Sequence, residues 1–273
     1  MSHIYAVING NFILKDEAKI LISDLSVQRG YGIFDYFRTV NNRPVFLDDH
    51  LDRFYHSASG MNLVVTVNRE KIKEIIQELM VKNNISDSGI RLTLTGGYSE
   101  DGYSLAKPNL LITQTPFAFK KENFEKGIRL VTYDHQRQLP QVKTIDYIMA
   151  IHLQLFIKEN KADDVLYHNH SAVCECPRSN FFIVTKNEEV LTPAKNILKG
   201  ITRKKILGFP EFNVKEADIN LEDIGDAKEA FVTSTTKNVL PVLEIDGKII
   251  GEGVPGRITT KIYERLFNLR EKN

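Results

Sequence analysis

The chain has 273 residues, a net charge of +1 and 42% hydrophobic residues. That length and apolar share suit one large or two medium domains with real cores. The near-zero charge argues against a nucleic-acid partner, and with no run of about eighteen apolar residues no membrane span is expected.

The first residues, Met1-Ser2-His3-Ile4-Tyr5, lack the basic-then-apolar pattern of a secretory signal. Cys174 and Cys176 stand too close for an easy disulfide, and nothing else can pair with them. A reducing, cytoplasmic setting is therefore expected. Together with His168 and His170 these cysteines have the residue types of a zinc site. Strand alternation and a tight turn make four ligands awkward there, so no metal is expected.

In chain order, Ile4 to Ile8, Asn9-Gly10 and Phe12 to Leu14 predict a hairpin with a two-residue turn. Ser23 to Tyr31 reads as a loop, and the aromatic stretch around Phe34, Asp35 and Tyr36 as a strand. Asp49 is a plausible N-cap for a helix with Leu51, Phe54, Tyr55 and Ala58 on one face. Arg53 lies beside that stripe, as either a core-edge ion pair or an anion ligand. Residues 69–82 predict an amphipathic helix with Ile72, Ile75, Ile76, Leu79 and Met80 inward. A strand over Gly89–Thr95 runs into a glycine-rich loop through Ser104, followed by a strand over Asn109–Gln114. Thr115 through Asn123 reads as a connector. The expected domains are thus 1–115 and 124–273, joined by 116–123.

In the second half, Ile128–Thr132 is a strand. Ile145, Ile148, Met149, His152, Leu155 and Phe156 recur at helical spacing. That places Lys143 at the mouth of a helix. A partly desolvated lysine loses its proton more readily and is the side chain that forms Schiff bases. The ordinary alternative is a solvated surface lysine. Asp164–His168 and Ala172–Cys176 predict paired strands around Asn169-His170, with Cys174 and Cys176 on one face and Glu175 on the other. An inward Glu175 needs a cationic partner. Ser179–Val184 is a further strand. Gly200-Ile201-Thr202-Arg203 opens a helix whose free N–H groups suit an anion. Phe231–Thr236 is a strand ending in a hydroxyl-rich turn.

Six blocks occur in one order: Gly32-Ile33-Phe34-Asp35; His50-Leu51-Asp52-Arg53; Lys143 with Tyr147; Glu175 with Ser179-Asn180-Phe181; Leu198-Lys199-Gly200-Ile201-Thr202-Arg203; and Thr233-Ser234-Thr235 followed by Pro241-Val242. With them the chain resembles the class IV (fold type IV) pyridoxal-phosphate aminotransferases. That group holds branched-chain and D-amino-acid aminotransferases and aminodeoxychorismate lyase. The resemblance implies an α/β N-terminal domain, a barrel-like C-terminal domain, pyridoxal 5'-phosphate in the cleft between them, and a homodimer. It implies that Lys143 carries the cofactor as a Schiff base and acts as general base. Glu175 would pair the pyridine nitrogen, Tyr147 the phenolic oxygen, and Leu198 the ring face. Arg53, Ile201, Thr202, Ser234 and Thr235 would hold the phosphate, with Asn180 also at the cofactor.

The implied activity exchanges an amino group between an amino acid, branched-chain L- or D-, and a 2-oxo acid by a ping-pong Schiff-base mechanism. The alternative is a lyase of the aminodeoxychorismate type. Three residues depart from the family pattern: Asp146, the large Tyr36, and Asp101, which stands in a loop where relatives tend to place a basic residue. Arg29 and Arg91 are therefore the candidates for the substrate carboxylate, with Arg38 next. Phe34, Tyr36, Thr235 and Thr236 complete the expected substrate-binding set.

Overall fold

Asn9 and Gly10 both take positive φ, 52° and 86°, the backbone that two-residue hairpin turns require. They join β1 (Tyr5–Ile8) to β2 (Asn11–Leu14), as the sequence predicts. The computed structural model describes residues 4–119 and 122–271. The chain divides into two compact units. The first runs to Ala118 and also takes in Val142–Asp146; the second comprises Phe119–Gln141 and the chain from Tyr147. The lysine segment thus belongs with the first unit, although it lies in the sequence of the second.

After the hairpin, the first unit continues with α1 (Leu25–Arg29), β3 (Gly32–Val40), β4 (Arg43–Pro44), α2 (Leu47–Gly60), α3 (Arg69–Asn83), β5 (Ser88–Thr95) and β6 (Leu110–Pro116). Its antiparallel sheet has the order β2-β1-β6-β5-β3-β4. Leu51, Phe54 and Ala58 of α2 and Ile72, Ile75, Ile76, Leu79 and Met80 of α3 bury against Val7, Ile33, Phe37, Ile90, Leu92 and Ile112 of the sheet. Period two then sends Phe34, Tyr36 and Arg38 to the opposite face.

Two local expectations change. Asp24, not a loop residue, caps a short helix: its Oδ1 accepts from Ser26 N at 2.8 Å. Helix α2 begins two residues before Asp49, after Phe46 at φ 55°. Asp48 and Asp49 lie instead in its first turn, where acidic side chains complement the helix dipole.

The segment around Lys143 is not helical. Ile33 and Thr144 form an antiparallel bridge. Phe34 N donates to Lys143 O (2.9 Å), Ile145 N to Gly32 O (3.0 Å), and Lys143 N to Ser57 Oγ (3.1 Å). The edge of β3 offers this segment main-chain partners that a first helical turn could not supply, so the helix waits until Ile148. Tyr147 stands at its cap, so the chain from Lys143 to Tyr147 is not a helical turn. Leu153 is buried, while Ile148 and Leu155, expected inward, are exposed.

The second unit contains α4 (Glu122–Lys126), β7 (Ile128–Asp134), α5 (Ile148–His152), α6 (Gln154–Glu159), β8 (Asp164–Asn169), β9 (Ala172–Val173), β10 (Glu175–Cys176), β11 (Ser179–Val184), β12 (Val190–Pro193), α7 (Ile201–Leu207), β13 (Val214–Ala217), α8 (Leu221–Gly225), β14 (Glu229–Ser234), β15 (Asn238–Ile245), β16 (Lys248–Ile249) and α9 (Arg257–Glu271). Its large mixed sheet runs β13-β12-β11-β14-β15-β7-β8-β9, with β10 on β11 and β16 on β15. The pairs β15–β7, β7–β8 and β12–β13 are parallel.

The turn after β8 is His170-Ser171, both at positive φ, rather than Asn169-His170. The expected alternation around Glu175 also fails. The chain switches partners there, β9 pairing β8 and β10 pairing β11. Cys174 consequently packs among Val165, Tyr167 and Ile197, whereas Cys176 packs with Leu166, Phe181 and Val232. No helix among the described residues is long and apolar enough to cross a membrane.

Phe54 is fully buried where α2 meets the sheet. Phe54→Ala should cost about 3–5 kcal/mol in denaturant unfolding. A loss under about 1 kcal/mol would show that this helix does not depend on that core.

Candidate active site

Asp35 is buried on the core face of β3. Arg53 donates Nε to its Oδ2 and Nη2 to its Oδ1, both at 2.8 Å, and His50 Nδ1 donates to Oδ1 at 2.7 Å. The spacing of His50 and Arg53, one helical turn of α2, turns both toward this one carboxylate. Asp52 points outward to Arg69 at 2.5 Å. Burial alone would raise the Asp35 pKa; the charge and hydrogen bonds of Arg53, aided by His50, override it and hold the carboxyl well below its usual range. Burial pushes the His50 imidazole down and so favours its neutral form. Arg53 is thus a buried ion pair whose Nη1 lies outside those bonds.

On the other face of β3, the Lys143 ammonium lies 4.5 Å from the centroid of the Phe34 ring. The Arg91 guanidinium lies 4.1 Å from the same centroid. Such cation–π contacts orient a charged group without consuming its hydrogen bonds. Arg38 stacks on Phe117 at 4.3 Å. Burial raises the pKa of Tyr36 above its ordinary value, with Arg38 and Arg91 pulling the other way. The sequence-predicted Phe34, Tyr36, Arg91 and Lys143 therefore share one surface. Arg29 does not join them. It sits exposed at the end of α1, its Nη1 donating to Gln28 O at 3.2 Å.

The loop departure at Asp101 has a structural cause. Its carboxylate accepts from Ser99 Oγ, Tyr103 N, Ser104 N and Ser104 Oγ at 2.6–2.9 Å. Asp101 ties the loop to itself. Asp24 plays a similar part at its base, where Oδ2 accepts from Thr95 Oγ1 (2.7 Å) and Asn109 Nδ2 (2.8 Å).

In the second unit Glu175 is buried, and its cationic partner is Arg137. Nε (3.0 Å) and Nη2 (2.8 Å) both donate to Oε1. Leu198 N donates to both carboxylate oxygens at 3.1 Å, and Asn180 Nδ2 reaches Oε2 at 3.3 Å and Leu198 O at 2.7 Å. Asn180, Leu198 and Glu175 are thus one cluster. Thr202 and Ile201 are buried in the first turn of α7. Arg203 turns away, bonded to Thr192, Pro193 O and Glu216. At the end of β14, Ser234 Oγ accepts from Lys237 N (3.0 Å) and meets Thr236 Oγ1 (3.3 Å), with Thr235 half-buried between them.

A model of the family described as amino-transferase class IV matches residues 32–245. The chain belongs to the class IV aminotransferases. A Methanocaldococcus jannaschii protein provisionally named a branched-chain-amino-acid aminotransferase is 30% identical, over 97% of this chain and 96% of its own. A D-alanine aminotransferase of Staphylococcus haemolyticus is also 30% identical, over 94% of each. Among solved structures, the branched-chain aminotransferase of Thermoproteus uzoniensis with norvaline superposes with TM-score 0.87 at 26% identity, covering 99% of this chain and 96% of that one. The branched-chain aminotransferase of Escherichia coli gives 0.90 at 21% identity, over 98% and 95%. The fold is that of type IV enzymes, an α/β domain followed by a domain whose sheet curls into a half-barrel.

Class IV aminotransferases work with pyridoxal 5'-phosphate. The donor chemistry of this aminotransferase fits that group. A primary amine stands on an aromatic ring at Lys143, a buried carboxylate at Glu175 is balanced by an arginine, and hydroxyls cluster at Ser234 to Thr236. Among the described residues no group of three or more His, Cys, Asp or Glu is arranged for a metal. Sequence reasoning missed two residues of these clusters. Arg137 sits in a loop with no periodicity, and its one available signal was the cation that an inward Glu175 demands. Asp24 was legible only as a capping type two residues before Ser26.

Asp35→Asn leaves Arg53 facing a neutral amide and should cost about 3–5 kcal/mol at neutral pH. The folded-state pKa of Asp35 is depressed, so its stabilisation is whole above the ordinary carboxyl value of about 3.9 and is lost as pH falls below it. Thermal melts of wild type and variant should therefore converge below about pH 4. A gap of constant size across that range would show that the contribution is not ionic.

Proposed function

We propose that this aminotransferase moves an amino group between an amino acid, branched-chain L- or D-, and a 2-oxo acid, with Lys143 as its one covalent and proton-transferring residue. The carrying observation is that Lys143 and Arg91 stand on the same Phe34 ring. An amino acid presents its amine and its carboxylate on one carbon, so an amine-handling group and a carboxylate ligand must lie together.

Pyridoxal 5'-phosphate, when bound, supplies a carbonyl for the incoming amine and an electron sink for the bond to be broken at Cα. Lys143 would carry the cofactor. Once released, its Nζ takes the proton from Cα and acts as general base, then as acid in the reverse half. Glu175, held by Arg137, Asn180 and Leu198 N, would pair with a protonated pyridine nitrogen. Arg53, oriented by Asp35, would take a phosphate oxygen with Ile201, Thr202, Ser234 and Thr235. Tyr147 and Leu198 would meet the cofactor's phenolic oxygen and ring face. Phe34, Tyr36, Arg91, Thr235 and Thr236 would line the substrate, with Arg91 as the carboxylate ligand and Arg29 contributing from a second copy in a homodimer. Two substrates sharing one amine-carrying site require ping-pong kinetics. No observation favours the lyase alternative, and a cytoplasmic location belongs to the same reading.

Borohydride reduction of the yellow holoenzyme followed by peptide mapping should place the cofactor on Lys143, and Lys143→Ala should carry no covalent label. A label on another lysine overturns the assignment. Glu175→Gln keeps the shape but loses the charge, and turnover should fall on the order of a hundredfold or more. Unchanged turnover would remove Glu175 from the cofactor site.

A further inference from the structure

Gly89 is glycine for a reason other than backbone conformation. It lies in the middle of the sheet on β5, opposite Arg38 of β3 and Thr115 of β6, and its φ is not in the left-handed range. A Cβ built there would stand 1.7 Å from Tyr36 Oη, 2.3 Å from Cζ and 2.6 Å from Cε2. The phenol of Tyr36 fills the space that a side chain at 89 would take.

The strand register shows what that achieves. Tyr36 lies directly opposite Arg91, and Phe34 opposite Thr93. Side chains on the same face of directly opposed residues compete for the same room. Here they do not, because both have shifted one step along the sheet. Tyr36 leans diagonally to Gly89, and Arg91 leans diagonally to Phe34. With the phenol withdrawn, the guanidinium lies on the ring that also carries the Lys143 ammonium. A guanidinium laid on a ring keeps its planar fork of donors free for a carboxylate.

We propose that Gly89 and Tyr36 are a matched pair of positioning residues that make the enzyme specific for carboxylate-bearing amines by fixing where Arg91 stands. The proposal rests on the reading of Arg91 as the carboxylate ligand and Lys143 as the reactive amine. A side chain at 89 drives the phenol back toward Arg91 and moves the guanidinium off Phe34. Gly89 then governs selection without touching the substrate.

The test uses holoenzyme and single half-reactions followed by cofactor absorbance. The amino acid is whichever of L-leucine and D-alanine reacts faster; the comparison amine is isoamylamine, which has no carboxylate. Gly89→Ala should raise the half-saturating amino-acid concentration about tenfold or more, leave the limiting rate within about threefold, and leave isoamylamine within about twofold. Gly89→Ala/Tyr36→Ala has no phenol left to displace and should be no worse than Tyr36→Ala alone. Gly89→Ala/Arg91→Ala should be no worse than Arg91→Ala alone, because the two changes act through one group. Equal losses with both amines, additive losses, or no loss in Gly89→Ala overturn the pairing. Should Gly89→Ala not yield folded holoenzyme, Tyr36→Ala and Arg91→Ala, which only remove atoms, carry the test. Tyr36→Ala should then raise half-saturation for the amino acid only when Arg91 is present, and an equal rise without Arg91 overturns the pairing. Normal amino-acid binding in Arg91→Ala overturns the underlying reading of Arg91; a defect in Arg91→Ala with none in Gly89→Ala overturns the pairing alone.

Discussion

The pairing of residues 143–145 to the edge of β3 is the constraint on which the first unit's chemistry depends. Phe34 N to Lys143 O and Ile145 N to Gly32 O fix the main chain of a segment distant in sequence. A lysine on a loop without such partners would wander; here the backbone is pinned on both sides of its Cα. Just before it Val142 sinks into the core, and Ser57 Oγ accepts from Lys143 N. The same strand then serves four partners at once: β5 along one edge, the lysine segment and β4 along the other, and α2 on one face.

Both units solve the problem of a buried carboxylate in the same way. Asp35 receives two nitrogens of Arg53 and one of His50; Glu175 receives two nitrogens of Arg137, the amide of Leu198 and the amide side chain of Asn180. An isolated buried charge would cost many kcal/mol, and a guanidinium fork offsets that cost only with good geometry and further donors. The result in each case is a carboxylate whose position is over-determined. In the proposed cofactor site such rigidity would matter more than the net stability of the pair, since a displacement of about 1 Å can cost a hundredfold in rate.

The parts of this protein that were legible in its sequence are those set by local rules. The Asn9-Gly10 turn and the inward face of α3 follow from turn chemistry and period alone. The paired motifs containing Asp35 and Arg53 were visible as blocks, although their mutual bond was not. What local rules could not supply was partner choice. The periodic run after Ile145 suggested a helix starting at Lys143, but the β3 edge won the first residues. The alternation at Cys174 and Cys176 failed because β9 and β10 pair with different neighbours. Arg137 acquires meaning only when the fold brings it across 38 positions to Glu175.

The Asp101 loop shows how a departure from pattern becomes intelligible once hydrogen bonds are assigned. A carboxylate that closes four bonds within its own loop, drawn below its usual pKa chiefly by Ser104, stabilises a turn and repels an anion. A substrate carboxylate must therefore find its cation elsewhere. On the proposed reading Arg91, lying on the Phe34 ring, is that cation, and the phenol of Tyr36 leaves the guanidinium room by occupying the space over Gly89. On that reading the acidic loop, the large residue at 36 and the missing side chain at 89 belong together. Each would be hard to explain alone: a tyrosine at 36 without glycine at 89 would collide, and glycine at 89 without a tyrosine would leave a hole in the face.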